Sequence, residues 1–239
     1  MIWAIHGNLG FPGDWLGISQ SLAPYQLHTP ALWESPHMGF RGWTNRANDA
    51  AEALDPDPVI MGYSLGGRLA MHAVADQTPP LWKAAIFISA HPGFRDSQVM
   101  ERDVRRRQDL AWASSIRNSK PADFLEQWNA QSVLQGPAPP SQHEVVRVYT
   151  EPIAQAFENW SLGVQEDLRP QLQASEVPQL WVVGADDTKF RAIAEEAVEG
   201  IPNAQLNVIE NCGHRVLLQR PDALARCVRE FLSSLSIST

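Results

Sequence analysis

The sequence predicts an α/β fold, with a mostly parallel sheet flanked by helices. Several short apolar runs are continuous rather than alternating, which is typical of strands buried on both faces of a sheet. These runs cover residues 2–5, 59–63, 84–89, 180–184 and 206–209. Helical patterns occupy residues 65–76, 190–198 and 223–235. Because strands and helices alternate along the chain, a doubly wound sheet is the expected arrangement.

The segment from about residue 92 to residue 172 differs from the rest, because it contains helical patterns and no apolar strand. Its helical stretches cover 99–116, 121–130 and 144–159, with a proline-rich break at 136–140. We expect a helical cap, inserted after the strand ending near Ser89, over the carboxyl edge where such sheets bind ligands. With 239 residues, the chain fits one hydrophobic core. A single domain over residues 1–239, including a cap at about 92–172, is therefore predicted.

Composition argues against several partners and locations. The formal net charge of −8 disfavours nucleic-acid binding, because phosphate recognition needs a basic stripe. The sequence contains neither a long apolar run nor a basic leader, so we expect no membrane span and a cytoplasmic location. The two cysteines, Cys212 and Cys227, fit a reduced compartment. Metal-ligand spacing and a phosphate-binding loop are absent from the sequence, so no cofactor and no metal are expected.

Residues 62–66 form a G-x-S-x-G motif between an apolar strand and a helical pattern. In that setting the glycines permit a sharp turn that exposes the serine above the sheet, as in the nucleophile elbow of the α/β-hydrolase fold. Ser64 is therefore the candidate reactive group, and the α/β-hydrolase fold is the predicted architecture. The alternative is a glycine-rich strand end carrying a solvated serine.

A serine hydroxyl needs a histidine base and an acid that orients the histidine, and this fold supplies them in the order serine, acid, histidine. His214 is the only histidine after the candidate acids Asp186 and Asp187. We favour Asp187, since it is third after the strand-ending Gly184. Asp186 remains an alternative, and either aspartate could instead cap the next helix. His214 could also be a loop histidine that is hydrogen-bonded to backbone.

The fold also predicts an oxyanion hole made of two backbone amides, one after the nucleophile and one after an early strand. These amides would belong to Leu65 and Asn8. Asn8 lies within the glycine-containing stretch at residues 6–10, where the backbone can approach a ligand closely. A plain tight turn is the alternative interpretation of this stretch.

Arginines are concentrated in the predicted cap, at positions 102, 105, 106 and 107, and Arg68 follows Ser64 by about one helical turn. A run of charge is usually a solvated face. If the guanidinium groups converge on the pocket instead, they favour a small anionic substrate with several carboxylates, which guanidinium forks bind bidentately.

Several blocks of the sequence together resemble one known family. They are His6-Gly7, Asp14-Trp15, G-Y-S-L-G-G-R-L-A-M at 62–71, H-P-G-F at 91–94, R-R-R-Q-D at 105–109 before Trp112, F-L-E-Q-W at 124–128 and D-T-K-F-R at 187–191. The resemblance is to the 2-succinyl-6-hydroxy-2,4-cyclohexadiene-1-carboxylate (SHCHC) synthases of menaquinone biosynthesis, a branch of the α/β-hydrolases. It extends over most of the chain.

The resemblance implies a carbon–oxygen lyase in which the serine works with His214 as a base. In this family the base removes a proton from the enolpyruvyl precursor of SHCHC, abbreviated SEPHCHC, and pyruvate is eliminated without an acyl-enzyme. The substrate-binding positions that carry over are Tyr63, Arg68, Arg105, Trp128 and, across an alignment gap, Arg147.

The chain departs from the family pattern at Asn8, where phenylalanine is common, and at Asn129, where an aromatic residue is common. Residues 29–42 also lack the usual D-x-P-G-H-G turn. Two other functions stay open. One is a serine hydrolase of small esters or carbon–carbon bonds with the same triad, and the other is a non-catalytic protein that binds a small ligand.

Overall fold

The computed structural model describes residues 1–75 and 80–237. Its strands form one sheet in the order β2-β1-β3-β4-β5-β6, and every neighbouring pair is parallel. The strands are β1 Ile2–Ile5, β2 Leu27–His28, β3 Val59–Tyr63, β4 Ala84–Ile88, β5 Gln179–Gly184 and β6 Ala204–Ile209. All the predicted strands are present, within two residues at each end. The two-residue strand β2 was not predicted, because it is too short to show a pattern.

The helices surround this sheet and fill the interval between β4 and β5. They are α1 Leu16–Ser19, α2 Gly39–Leu54, α3 Leu65–Ala75, α4 Val99–Asn118, α5 Pro121–Asn129, α6 Gln142–Val148, α7 Thr150–Asn159, α8 Arg169–Ala174, α9 Thr188–Glu199, α10 Val216–Gln219 and α11 Pro221–Ser234. Asp76, the predicted end of the helix after Ser64, lies outside the described residues. Among residues 1–75 and 80–237, no helix combines the length and apolar character that crossing a bilayer requires.

Several helical features differ from the prediction, and among them the short helices α1, α8 and α10 were not predicted. The stretch expected as one helix over 144–159 is two helices, α6 and α7, which meet at Tyr149 with φ −113° and ψ 28°. Helix α2 was not predicted at all, because glycines stand in its first turns and lower helix propensity. Its buried face contains Trp43, Ala47 and Ala51. That spacing of four residues is the signal that could have indicated the helix.

Both faces of the four central strands, β1, β3, β4 and β5, are buried, as their continuous apolar runs predict, whereas the edge strands β2 and β6 are partly exposed. Side chains of one strand alternate between two cores. In β1, for example, Trp3 and Ile5 pack on one side and Ile2 and Ala4 on the other. The sheet is therefore a rigid support, and the residues that follow its strands at the carboxyl edge are held in fixed positions.

Three histidines are enclosed in this framework in the neutral form. Burial lowers the pKa of His6 to about 4 and the pKa values of His72 and His91 to about 3. His6 Nε2 accepts a hydrogen bond from the amide of Leu32, and His91 Nδ1 accepts one from Gly93. Protonation removes these acceptor roles, so the neutral imidazoles belong to the folded state.

We expect stability to fall as the pH drops from 6.5, because these three histidines then bind protons in the unfolded chain but not in the folded chain. At pH 5.5 each of the three imidazoles lowers the free energy of unfolding by about 1 kcal/mol. Urea unfolding at pH 7.5 and pH 5.5 measures the loss. Replacing His72 by Gln should flatten the pH dependence, whereas the same change at the exposed His143 should leave it unaltered. Equal stability at the two pH values would contradict this account.

Candidate active site

Ser64 sits in a strained turn between β3 and α3. Its φ is +53°, in the left-handed region that residues other than glycine rarely adopt. Its amide donates to the carbonyl of Ile88 at 2.8 Å, which ties the turn to β4. A Cβ on Gly62 would collide with the backbone of Gly66, and a Cβ on Gly66 with the carbonyl of Ile5. The flanking glycines are therefore required by the turn that lifts the serine above the sheet.

His214 connects Ser64 to an aspartate. Its Nε2 lies 3.2 Å from Ser64 Oγ, and its Nδ1 lies 2.7 Å from Asp187 Oδ2. Asp187 and His214 are both buried, at 6% and 4% exposure, whereas Asp186 is exposed. The structure thus places Asp187, and not Asp186, against the histidine. Each of the three residues follows a different strand, so parallel strands bring their side chains to one edge of the sheet.

Asp187 has two roles in this arrangement. While Oδ2 faces the imidazole, Oδ1 accepts from the amide of Phe190 at 3.3 Å and so caps the N-terminus of α9. Helix capping and orientation of a histidine are therefore not alternatives here. The cap fixes the carboxylate, because a hydrogen bond to a helix amide restricts its rotation. The fixed carboxylate in turn selects the tautomer that leaves Nε2 free to accept a proton.

Aromatic rings enclose the imidazole. The ring of Phe190 lies 4.5 Å from that of His214, and the ring of Tyr63 lies 5.7 Å away. Burial also raises the pKa of Tyr63, so its hydroxyl remains protonated as a hydrogen-bond donor. Around the Ser64–His214 pair the apolar rings exclude water, which strengthens the electrostatic interactions of the pair.

The backbone around Asn8 and Leu65 fits the predicted oxyanion hole. Asn8 follows β1 at the same sheet edge as Ser64, and a Cβ on Gly7 would meet the Tyr63 ring at 2.8 Å. In the described part of the chain, neither the Asn8 amide nor the Leu65 amide donates to another protein group. Both amides are therefore free for a ligand.

The Ser64 side chain opens into a cavity of about 220 Å³. The sheet edge and the segment between β4 and β5 both contribute to its walls. Trp112 and Trp128 provide an aromatic wall, with ring centroids 5.1 Å apart. Other lining residues include Gly7, Asn8, Asp14, Tyr63, Arg105, Gln108, Asp109, Gln131, Gln142, Lys189, Phe190, His214 and Arg215. The cavity is thus apolar on one wall and rich in hydrogen-bonding groups on the others, as small-molecule sites usually are.

Arg105 is held in the cavity by a buried carboxylate. Its Nε lies 2.9 Å from both side-chain oxygens of Asp109, and Ser161 Oγ donates to Asp109 Oδ2 at 2.6 Å. Asp109 is 2% exposed, whereas Arg105 is only half-buried, so the carboxylate end of this ion pair is the part shielded from solvent. Because the contact uses only Nε, the terminal nitrogens of Arg105 remain available to an anionic ligand.

Two arginines predicted to bind substrate, Arg68 and Arg147, lie outside the cavity, contrary to the prediction. Arg68 does not line the cavity; it donates to Gln165 Oε1 at 3.1 Å and to the carbonyl of Trp160 at 2.8 Å. It therefore joins α3 to the segment that follows α7. Burial lowers the pKa of Arg68 to about 9. Arg147 is exposed on α6 and paired with Glu144, three residues earlier on the same helix. A local carboxylate thus satisfies it on the outer surface.

Two cations of the cavity were assigned no role from the sequence. Lys189 stands at the rim in the first turn of α9, two residues after Asp187, and Arg215 follows His214 directly. Both were visible as neighbours of triad members, which is the signal that could have drawn attention to them. Their direction could not be predicted, because it depends on how α9 and the His214 loop pack against the cavity.

Comparison with known proteins identifies the family. Residues 4–227 match the alpha/beta hydrolase family. The chain is 35% identical to the 2-succinyl-6-hydroxy-2,4-cyclohexadiene-1-carboxylate synthase of Citrobacter koseri over 94% of this chain and 92% of that one. The chain belongs to the SHCHC synthase family of the α/β-hydrolases. The resemblance predicted from the sequence blocks is thereby confirmed, as is the α/β-hydrolase fold.

Solved structures agree on the fold. The MenH structure from S. aureus superimposes with a TM-score of 0.87 at 22% identity, covering 99% of this chain and 94% of that one. The bromoperoxidase of Bacillus anthracis superimposes with a TM-score of 0.79 at 17% identity, covering 97% and 91%. At these identities the superpositions establish the shared architecture alone, because this fold hosts many chemistries.

One departure from the SHCHC synthase pattern has a structural counterpart. Asn129, which stands where an aromatic residue is common in the family, accepts a hydrogen bond from Arg215 through Oδ1. Its Nδ2 donates to Gln142 Oε1 at 2.9 Å. An aromatic side chain offers no equivalent amide, so the polar residue at position 129 fits its contacts with Arg215 and Gln142.

Proposed function

We propose that this chain is a carbon–oxygen lyase that eliminates pyruvate from SEPHCHC to form SHCHC. Its family membership supports the reaction class. The observation that carries the proposal is the hydrogen-bonded Ser64–His214–Asp187 series opening into a cavity that Arg105 also lines. A positive charge beside a base is the environment that an anionic substrate losing a proton requires.

In the proposed mechanism Ser64 Oγ transfers its hydrogen to His214 Nε2 as it removes a proton from a ring carbon of the substrate. The electron pair of that C–H bond forms a ring double bond, and the C–O bond to the enolpyruvyl group breaks. Enolpyruvate leaves and takes up a proton to become pyruvate. Asp187 stabilises the imidazolium that forms meanwhile. The amides of Asn8 and Leu65 stabilise the oxygen on which negative charge develops.

Substrate binding is assigned to Tyr63, Arg105 and Trp128, which all line the cavity. The ring of Trp128 stacks against the hydrophobic part of the substrate, and Arg105 binds a carboxylate. Residues 92–172 act as a cap within a single domain over residues 1–239, because side chains from this segment complete the cavity above Ser64. A cytoplasmic location and the absence of a nucleic-acid partner belong to the same proposal.

The second candidate function is hydrolysis of a small ester or a carbon–carbon bond. The observation that favours it is the triad itself, because the same geometry activates serine as a nucleophile. Mixing the purified protein with SEPHCHC and coupling released pyruvate to lactate dehydrogenase separates the two. The lyase releases pyruvate, whereas a hydrolase cleaves neutral p-nitrophenyl esters and leaves SEPHCHC intact. A protein that binds SEPHCHC and turns over neither compound is the non-catalytic alternative.

Replacing Arg105 by Met should lower kcat/KM for SEPHCHC by about 30-fold or more, because the substrate carboxylate then loses its charged partner in the cavity. The rate constants of pyruvate release measure this. Arg107→Met is the matched control, since Arg107 is exposed on the same helix, and it should leave kcat/KM unchanged. Equal losses in the two variants would exclude a direct contact between Arg105 and substrate.

A further inference from the structure

Arg215 is a buried cation of the cavity that the mechanism above does not use. It is 4% exposed and follows His214 directly. Its Nη1 donates to the carbonyl oxygens of Gly136 at 3.1 Å and Pro137 at 3.0 Å, and its Nη2 donates to Asn129 Oδ1. These three acceptors are neutral, so they satisfy hydrogen bonds without balancing the charge.

No carboxylate of residues 1–75 or 80–237 forms an ion pair with Arg215, whereas Arg105 is paired with Asp109 and Arg169 with Asp167. Removing a charge from water without a counter-ion is costly. Burial accordingly lowers the pKa of Arg215. A guanidinium has five N–H donors, so these three contacts leave two of them unused. An anion in the cavity would supply both the missing charge and the missing acceptors.

We propose that Arg215 binds a carboxylate of the substrate, and that this carboxylate is different from the one bound by Arg105. The two guanidinium groups are supported from different elements. Asp109 holds Arg105 on α4, whereas backbone carbonyls of the loop before α6 hold Arg215 beside the catalytic histidine. Two separately fixed forks favour a substrate with carboxylates at separate positions. The identity of that substrate rests on the proposed function.

The alternative role of Arg215 is structural, as a clamp between the His214 loop and the segment at 129–137. Variants separate the two roles. Arg215→Gln should raise KM for SEPHCHC by at least about tenfold with a smaller effect on kcat, and Arg215→Lys should recover part of the loss. Asn129→Ala weakens the clamp but keeps the cation, so it should change KM by less than about threefold. Equal KM changes in Arg215→Gln and Asn129→Ala would overturn the proposal.

A double variant tests whether two carboxylates are involved. If Arg105 and Arg215 bind different groups, the fold-changes in kcat/KM of Arg105→Gln and Arg215→Gln multiply in the double variant, as for independent sites. If both bind the same carboxylate, the second substitution has a much smaller effect than it has alone, and the assignment to separate groups is wrong.

Calorimetric binding of tricarballylate, a simple tricarboxylate, tests Arg215 without relying on turnover. Arg215→Gln should weaken this binding by about tenfold, and the trimethyl ester of tricarballylate should bind wild type and variant equally. If tricarballylate binding depends on Arg215 but the protein releases no pyruvate, the anion site stands and the proposed reaction is wrong. If the protein releases pyruvate, but Arg215→Gln changes neither KM nor the affinity for tricarballylate, the reaction stands and the anion site is wrong. If Arg215→Gln does not fold, binding to Arg105→Gln serves instead, because this variant keeps Arg215 and lacks the other arginine that lines the cavity. Equal affinity of Arg105→Gln for tricarballylate and its trimethyl ester would overturn the proposal.

Discussion

Ser64→Ala is expected to lower kcat for pyruvate release by about 10²- to 10⁴-fold, the range that a positioned acid–base group supplies. In the proposed mechanism Ser64 Oγ transfers the proton between the substrate and the imidazole of His214, whose Nε2 lies 3.2 Å from this oxygen. Removing one oxygen from this half-buried turn leaves the cavity walls intact. KM should therefore change little. Initial rates of pyruvate formation over a range of SEPHCHC concentrations measure both constants.

His214→Gln provides the comparison for this prediction. Since serine and imidazole act as one unit, the double variant Ser64→Ala/His214→Gln should be about as slow as either single variant. Product SHCHC should still bind to all three proteins with similar affinity, which shows that the cavity persists. If Ser64→Ala released pyruvate with the kcat of the wild type, Ser64 would have no part in the mechanism.

Asp187→Asn should be nearly as damaging as loss of the serine, with a fall in kcat of up to about 10⁴-fold. An amide in place of the carboxylate can donate to Nδ1, which selects the tautomer whose Nε2 carries a proton and cannot act as a base. The helix cap survives, because the Asn side chain still offers an oxygen to the amide of Phe190. Thermal unfolding should accordingly shift little while pyruvate release is almost abolished.

Asp186→Asn is the matched control for this change. Asp186 is adjacent in sequence and also follows β5, but it is exposed and makes no contact with His214. Its substitution should leave kcat within about twofold, as expected for a surface change. If Asp186→Asn is the inactive variant and Asp187→Asn is active, the acid has been assigned to the wrong residue.

The sheet was predictable from sequence because each buried strand is a continuous apolar run. The positions of Ser64, Asp187 and His214 were equally visible, since each follows such a run in the order that the fold demands. The break at Tyr149 does have a signal in the sequence, because Pro152 lies in the first turn of α7 and its missing N–H prevents one continuous helix through residue 148. Helix α2 was not predicted because Gly39 and Gly42 lower the helix propensity of its first turns.

Side-chain direction explains what the sequence could not reveal about the cations. Arg68 lies close to Ser64 in the chain, yet it points toward Trp160 and Gln165 because these offer acceptors in the interior. Arg147 finds Glu144 on its own helix. Arg215 enters the cavity because carbonyls of residues 136 and 137 come from a distant segment. Such choices depend on tertiary packing, which local sequence patterns do not contain.

The proposed reaction depends on Ser64 and His214 removing a proton from a carbon of the substrate. Single-turnover pyruvate release from SEPHCHC, compared with the substrate deuterated at that carbon, tests this step directly, because product release does not limit a single turnover. We expect slower release from the deuterated substrate and an enzyme of unchanged mass throughout. Identical rates for the two substrates, together with a covalent adduct on Ser64, would contradict it.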